Sequence, residues 1–132
     1  MKLVSIRLIT DDIQRLVSFY QHVTGIEATW GTPDFAEIIT PAGTLAIGST
    51  RTVELFAAGS ARPADNHTAI IEFLAPDVDA DYRRLRDTIE DFVNEPTTMP
   101  WGNRSLLFRD PDGNLINLFT PVTPQATAKF AG

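Results

Sequence analysis

Hydrophobic residues recur along this chain in a pattern that predicts a strand, a helix and three more strands, and then repeats that order. Residues 3–10 alternate between two faces, with Val4, Ile6 and Leu8 together on one face, which is typical of a strand. Apolar residues at helical spacing then predict a helix from about Asp12 to Thr24, with Gly25 as its C-cap. Short extended segments follow at 27–30, 34–40 and 44–48.

The second half follows the same plan. Residues 68–75 form a strand pattern, Pro76 and Asp77 begin a helix that continues to about Asp91, and strands are predicted at 92–98, 104–108 and 114–120. A shift of 65 positions places Ser5 on Ile70 and Asp12 on Asp77. The sequence therefore predicts a tandem βαβββ repeat.

The predicted organisation is one α+β domain over residues 1–132, built from two modules. Module one covers 1–58, a Gly/Ser/Pro-rich linker covers 59–66, module two covers 67–121, and a tail without strong pattern at 122–132 is expected to follow the surface. Because about 60 residues bury too little apolar surface to form a good core alone, we expect the modules to share one.

Composition excludes several classes of function. The 132 residues contain no cysteine, so disulfides, thiolate catalysis and thiolate metal sites are excluded. A net charge of −6 argues against nucleic-acid binding, and no apolar run reaches the length of about 20 residues that spans a bilayer. Arg7 interrupts the N-terminal apolar stretch before a signal peptide could develop, so we predict a cytoplasmic protein that contacts neither nucleic acid nor membrane.

Three motifs resemble a known superfamily: residues 12–20 followed by Gly25, residues 77–80, and the strand–turn–strand Asp110-Pro-Asp-Gly-Asn-Leu-Ile116. Placed within the predicted tandem βαβββ repeat, these motifs resemble those of the vicinal oxygen chelate superfamily. This superfamily includes glyoxalase I, extradiol dioxygenases, and fosfomycin- and bleomycin-resistance proteins. The resemblance implies two βαβββ modules that form a cupped eight-stranded mixed sheet around a ligand cavity, usually within a homodimer. It is closest in character to the metal-free bleomycin-resistance-like members.

The resemblance also gives the positions where metal-dependent relatives carry their ligands. Mapped by the predicted strands, these positions hold Ser5, Ile47, Ile70 and Asn117, which include no His, Asp, Glu or Cys. Transition metals bind imidazole, thiolate or carboxylate donors, so we expect neither a metal nor another cofactor. His22 is expected on the surface of the first helix and His67 in a loop.

Alternation along the strands, together with the aromatic residues, gives a set of candidate ligand-binding residues. They are Ser5, Arg7, Phe35, Glu37, Ile70, Glu72, Trp101, Arg104, Asn117 and Phe119. Trp101 follows a rigid Pro and is the strongest single pocket candidate. Arg7 and Glu72, at equivalent positions, form either a structural ion pair or contacts to a charged ligand. Glu37 either shares the face of Phe35 or is solvent-exposed, and Arg104 faces either the cavity or the dimer surface.

Three functions remain open from the sequence. The first is a metal-independent small-molecule-binding protein that holds an aromatic or cationic compound, with antibiotics among the candidates, in a cavity or dimer groove. The second is an enzyme of the same superfamily: a lyase or dioxygenase with displaced metal ligands, or a metal-free enzyme with Glu72 as general base. The third is a partner domain without small-molecule chemistry. Whether the chain is an enzyme stays open.

Overall fold

A computed structural model describes residues 1–131 and contains eight strands and four helices. In chain order the elements are β1 (Ser5–Thr10), α1 (Ile13–Thr24), β2 (Thr29–Thr32), β3 (Phe35–Ile39), β4 (Thr44–Ser49), α2 (Thr50–Glu54), β5 (Ile70–Leu74), α3 (Val78–Leu85), β6 (Thr97–Thr98), β7 (Asn103–Arg109), β8 (Leu115–Pro121) and α4 (Pro124–Lys129). Each helix in this described part is too short or too polar to cross a bilayer.

The chain divides into two compact units, and each contains one four-stranded mixed sheet. The first unit comprises residues 1–66 with 111–113, and its strand order is β1-β4-β3-β2. The second comprises the remaining residues, with the order β5-β8-β7-β6. The α+β class and the two βαβββ modules are confirmed, and the eight strands pair as two sheets of four.

In the first unit, α1 begins and ends as its sequence predicts. The Asp12 side chain accepts a hydrogen bond from the Arg15 amide at 3.1 Å, and Gly25 closes the helix with φ of 70°. The apolar stripe of α1 packs on β3 and β4. Its fully or nearly buried members are Leu16, Val17, Tyr20 and Val23. This packing forms the core on one side of the first sheet.

The turn between β7 and β8 closes on itself. The Asn114 amide donates to Asp110 Oδ1 at 2.9 Å, and Asn114 Nδ2 donates to Asp110 Oδ2 at 2.8 Å. The Asp110 amide in turn donates to the Asn114 carbonyl at 3.0 Å. Gly113 adopts φ of 84°, which a residue with a Cβ rarely accepts. Both polar residues are buried, so these bonds satisfy groups that would otherwise be costly.

Two predicted elements of the second unit are shorter than expected. Helix α3 ends at Leu85 rather than near Asp91, and the Thr88 hydroxyl donates to the Leu85 carbonyl in the turn that follows. The predicted strand 92–98 is reduced to Thr97–Thr98 plus an isolated bridge between Phe92 and Phe108. Asn94 interrupts the ladder, since its side-chain oxygen accepts from the Leu107 amide at 2.7 Å.

The prediction of a patternless surface tail is wrong, because residues 124–129 form helix α4. The Thr123 side chain caps it by accepting from the Ala126 amide at 3.2 Å, and proline occupies the first turn. Ala126 is buried, and the Phe130 ring lies 5.2 Å from the Phe119 ring. The tail is therefore part of the second unit's packing.

The closing helices extend the internal repeat. Helix α2 follows β4 as α4 follows β8, and a shift of 74 positions places Ser49 on Thr123 and Phe56 on Phe130. Each module thus reads βαβββα, with an aromatic residue just beyond its last helix.

Candidate functional site

The strand register of the first unit defines one sheet face that α1 does not cover, called the first face here. Ser5 and Arg7 of β1 pair with Thr44 and Ala46 of β4, and the neighbouring strand β3 extends the same face. The first face is formed by Ser5, Arg7, Ile9, Phe35, Glu37, Ile39, Thr44, Ala46 and Gly48. Of the two positions that the sequence left open for Glu37, the structure gives the face of Phe35, where its side chain is half-buried.

The assignment of Ile47 to this face is wrong. Ile47 pairs with Leu8, is completely buried, and points to the side that carries α1. Ser5 pairs with Thr44 as Ile70 pairs with Leu115, so the residue equivalent to Asn117 is Ala46. The predicted positions Ile47 and Asn117 are 70 residues apart, whereas the strand registers of the two units correspond at a shift of 71, and an error of one residue reverses the face of a strand.

The main chemical feature of the first face is a guanidinium that lies over two aromatic rings. Arg7 Cζ lies 4.8 Å from the centroid of the Phe35 ring and 5.6 Å from that of Phe56. Gly48 leaves room for this arrangement, because a Cβ there would stand 3.6 Å from Arg7 Cδ and 2.7 Å from Thr52 Oγ1. Cation–π contacts of this length hold an arginine side chain in one orientation.

Arg7 has no carboxylate partner within the first unit. The ion pairs of residues 1–66 and 111–113 are Arg15–Asp112 and Arg62–Asp65, and Arg7 takes part in neither. Arg7 and Phe56 are both exposed, Phe56 by 75%, while Phe35 is half-buried. The first face therefore presents a positive charge and aromatic surface to its surroundings.

The corresponding face of the second unit, called the second face, carries a carboxylate–amide pair. It is formed by Ile70, Glu72, Leu74, Asn103, Ser105, Leu107, Arg109, Leu115, Asn117, Phe119 and Pro121. Glu72 and Asn117 are directly paired across β5 and β8, and Asn117 Nδ2 donates to Glu72 Oε2 at 2.9 Å. Arg7 thus contacts two rings of the first unit, and Glu72 accepts a hydrogen bond within the second.

The side-chain orientation of Asn117 is fixed by this bond. Rotating the amide by 180° would place its carbonyl oxygen against the Glu72 carboxylate, and two acceptors repel. In the observed orientation, Asn117 Oδ1 is buried and no hydrogen bond reaches it. Leaving an acceptor in this state costs about 1–3 kcal/mol, so stability alone does not account for an asparagine at this position.

The strand register does not place Arg104 on the second face, and the alternative that it faces a dimer surface stays a prediction. Its strand register places it on the face that carries α3, where its Nε and Nη2 bind Asp79 at 2.9–3.1 Å. The hydrogen bond from Arg104 holds the pKa of Asp79 below its usual value. The sequence did not show which β7 side chains lie on which face of the sheet, and the pairing of β7 with β8 decides this.

The two aromatic candidates of the second unit differ in environment. Trp101 lies in the turn before β7 and is 67% exposed, so within this unit it does not line an enclosed pocket. Phe119 is on the second face, as expected, but it is only 7% exposed and packs against the Phe130 ring at 5.2 Å. Gly102, with φ of 93°, allows Ala126 and Thr123 of the closing segment to approach closely.

The donor groups do not fit a transition-metal site. The relevant positions of the first face are Ser5 and, after the register correction, Ala46; those of the second face are Ile70 and Asn117. A hydroxyl and an amide are poor ligands for such ions. Among residues 1–131, His, Cys, Asp and Glu form no group of three or more that could hold a metal ion. As predicted, His22 lies on α1 and His67 precedes β5, both exposed.

Sequence reasoning missed Phe56, Gly48 and Phe130. Phe56 was assigned to an apolar segment without a role, although Ser49 and Thr123 mark two N-caps followed seven residues later by phenylalanine. This repeat was a readable signal for both aromatic residues. Nothing in the sequence reveals that Gly48 makes room for Arg7, since its backbone φ is not positive.

Comparison with known proteins places these observations in a family. Residues 2–118 match the family model described as the Glyoxalase/Bleomycin resistance protein/Dioxygenase superfamily. The chain is 27% identical over 125 residues to the uncharacterized protein YraH of Bacillus subtilis, covering 90% of this chain and 98% of YraH.

Solved structures show the same fold. A glyoxalase/bleomycin resistance protein/dioxygenase from Nocardioides matches with a TM-score of 0.74 and 24% identity, over 94% of this chain and 85% of that one. A protein of unknown function from Agrobacterium tumefaciens matches with a TM-score of 0.78 and 24% identity, over 91% and 94%. The chain belongs to the Glyoxalase/Bleomycin resistance protein/Dioxygenase superfamily.

Proposed function

We propose that this protein is a metal-independent small-molecule-binding protein and that its ligand is an aromatic compound held on the first face. The observation that carries this proposal is the contact of the Arg7 guanidinium with the Phe35 and Phe56 rings at 4.8 and 5.6 Å. Aromatic walls with few fixed polar groups are the usual composition of small-molecule sites.

The exposure of Phe56 supports a role in binding. A phenylalanine that is 75% exposed contributes little to folding, yet this one is held beside Arg7 and offers an aromatic ring to a ligand. Ala46 and Gly48 form a floor with small side chains, so the strands beneath Arg7 and Phe35 present little bulk.

An aromatic ligand is favoured over a cationic one on this face. On the first face the Arg7 guanidinium has no carboxylate partner, and its positive charge repels a cationic group close to the rings. Cationic antibiotics of the bleomycin type are therefore the less favoured candidates, and neutral or anionic aromatic compounds are the first to test.

The test is a binding screen of small aromatic compounds by ligand-observed NMR, followed by calorimetry in buffer with EDTA. Compounds that bind should keep their affinity in EDTA, and Phe56→Ala should weaken them about 10-fold, or about 1.4 kcal/mol. Leu55→Ala is the matched control, because Leu55 adjoins Phe56 and is 84% exposed. Loss of binding in EDTA, or equal effects of the two substitutions, would contradict the proposal.

One observation favours a second function, metal-free general-base catalysis by Glu72. Its carboxylate is exposed, and the Asn117 amide orients it at 2.9 Å. If the protein turns over a bound compound, Glu72→Gln should lower kcat by about 10²-fold or more with KM nearly unchanged. Unchanged kcat in that variant would exclude this role.

A further inference from the structure

We propose that the ligand of the first face carries a single carboxylate, and that the N–H edge of Arg7 binds it in a bidentate manner. This inference rests on the proposed function, because it names the chemical class of the aromatic ligand. It assigns the recognition of charge to Arg7 and the recognition of shape to Phe35 and Phe56.

The division follows from the geometry of a guanidinium. Its flat faces attract the π-surface of aromatic rings, whereas its five N–H donors lie in the plane and point outward. In this structure the rings of Phe35 and Phe56 contact Arg7 at 4.8 and 5.6 Å. The carbon rings offer no lone pairs, so the N–H donors of Arg7 remain for a planar acceptor such as a carboxylate.

These donors have no acceptor in the first unit. The hydrogen bonds and ion pairs of that unit, within the described residues, include those of Arg15 and Arg62 but none of Arg7. Arg7 is exposed, so solvent or a ligand can reach its N–H groups. An exposed arginine is common, but one that two rings hold in place has already lost part of its rotamer entropy before binding.

Gly48 contributes to the same preorganisation. Its missing Cβ lets the Arg7 side chain cross β4 toward Phe35, which pairs with Gly48 on the next strand. A lysine at position 7 could keep the charge, but an ammonium has neither the flat face for stacking nor the fork for bidentate binding. The site therefore requires arginine rather than positive charge alone.

The surrounding charge favours one carboxylate over a phosphate. Glu37 lies on the same face, separated from Arg7 by Ala46, which places the two backbones about 10 Å apart. The whole chain carries a net charge of −6. Both features penalise a dianion more than a monoanion.

The experiment compares matched pairs of compounds by calorimetry at low salt. The pairs are benzoate with benzamide and indole-3-acetate with indole-3-acetamide, with phenyl phosphate as the dianionic comparison. In each pair we expect the carboxylate to bind at least about 10-fold more tightly than the amide, a difference of about 1.4 kcal/mol. Phenyl phosphate should bind more weakly than benzoate.

The variants Arg7→Gln and Arg7→Lys identify the group responsible. Arg7→Gln should remove the preference for carboxylate, and Arg7→Lys should remove most of it although the charge is kept. Arg51→Gln is the matched control, because Arg51 is an exposed arginine of helix α2 in the same unit and its loss changes net charge equally. Thermal unfolding of each variant confirms that it is folded.

The possible outcomes separate this inference from the proposed function. If amides and carboxylates bind equally to the wild-type chain and Phe56→Ala weakens both, the carboxylate inference is wrong and aromatic binding stands. If Arg7→Lys keeps the full preference, or Arg51→Gln removes it, bidentate recognition by Arg7 is wrong. If none of these compounds binds the wild-type chain, both proposals fail.

Discussion

The two units share one plan but use its last segment differently. Phe56 and Phe130 occupy equivalent positions beyond helices α2 and α4. Phe130 packs on Phe119, which is left only 7% exposed, whereas Phe56 packs on Arg7 and stays 75% exposed itself. One closing segment thus contributes to a hydrophobic core, and the other forms an open surface with a charged group.

The difference arises from an exchange of large and small residues between neighbouring strands. In the first unit Gly48 of β4 pairs with Phe35 of β3, and in the second unit Phe119 of β8 pairs with Ser105 of β7. The large ring is Phe35 on the third strand of the first unit, and it is Phe119 on the fourth strand of the second unit. This exchange leaves a gap over β4 that the Arg7 side chain crosses. The position of one ring in the sheet thus decides whether the closing phenylalanine packs on another ring or on a charged group.

We expect the largest loss of stability in a comparison of the variants Gly102→Ala and Gly48→Ala. At Gly102 a Cβ would meet Thr123 and stand 3.1 Å from Ala126 Cβ, and φ is 93°, so we expect a loss of about 2–4 kcal/mol in the free energy of unfolding. At Gly48 the backbone is unstrained and the collision is with the Thr52 side chain at 2.7 Å, so about 1–2 kcal/mol is expected.

Urea unfolding of both variants measures these losses. Gly43→Ala is the control, because nothing lies within 4 Å of its added Cβ and its φ is not in the left-handed region. Equal stability of Gly102→Ala and Gly43→Ala would show that α4 does not depend on close packing at Gly102.

The second comparison truncates the two equivalent rings. Phe130→Ala should lower the free energy of unfolding by about 1–2 kcal/mol, less than for a fully buried phenylalanine because Phe130 is 38% exposed. Phe56→Ala should change it by no more than about 0.5 kcal/mol. Chemical denaturation of both variants checks this, and a larger loss for Phe56→Ala would reverse the roles assigned to the two units.

The third comparison concerns Asn117, which occupies the position equivalent to Ala46. Because Asn117 Oδ1 is buried without a partner, Asn117→Leu should leave the free energy of unfolding unchanged or raise it by about 0.5 kcal/mol. Thermal and urea unfolding at neutral pH measure the change. A loss above about 1 kcal/mol would mean that the bond to Glu72 is structural.

The smallest effect is a change in acid stability from the Asp79–Arg104 pair. The hydrogen bond from Arg104 lowers the pKa of Asp79 in the folded state, so folding is stabilised above the ordinary Asp pKa of about 4. That contribution is lost as the pH falls through the lower folded pKa. Since the pair is partly exposed, the effect should be small.

Melting temperatures of wild type and Asp79→Asn between pH 7 and pH 2 test this. The two curves should differ at pH 7 and converge in strong acid, where the wild-type carboxyl is protonated. The matching variant in the first unit is Arg15→Gln, which removes the exposed arginine of the Arg15–Asp112 pair. Its melting temperatures are compared with those of Asp79→Asn over the same pH range. Curves for Asp79→Asn that stay parallel to wild type at all pH values would contradict the sign of the shift.

The repeat, the order of its elements and the caps of α1 could be predicted because they depend on local patterns. Alternation and helical spacing identify strands and helices, and Asp12 and Gly25 satisfy the two ends of α1. Side-chain faces were less predictable, because the period of a strand is two and one residue of error moves every side chain. Ile47 was assigned to the wrong face for this reason.

The candidate site could be predicted only in part. Arg7, Phe35 and Glu37 share the first face, and Glu72 and Asn117 are partners on the second face. Arg104 was not predictable, because its bond to Asp79 joins residues 25 positions apart and depends on how α3 packs on β7. The tail was missed because its short helix is stabilised by Thr123 and by burial of Ala126 rather than by a long apolar stripe.

The self-closed turn between Asp110 and Asn114 also bears on how the second unit folds. Its hydrogen bonds join residues only four positions apart, so they form with little loss of chain entropy. Hairpins of this kind form in about 1–10 µs, long before distant strands find their partners. We therefore expect β7 and β8 to pair early, with Asp110 selecting the register that later brings Asn117 beside Glu72.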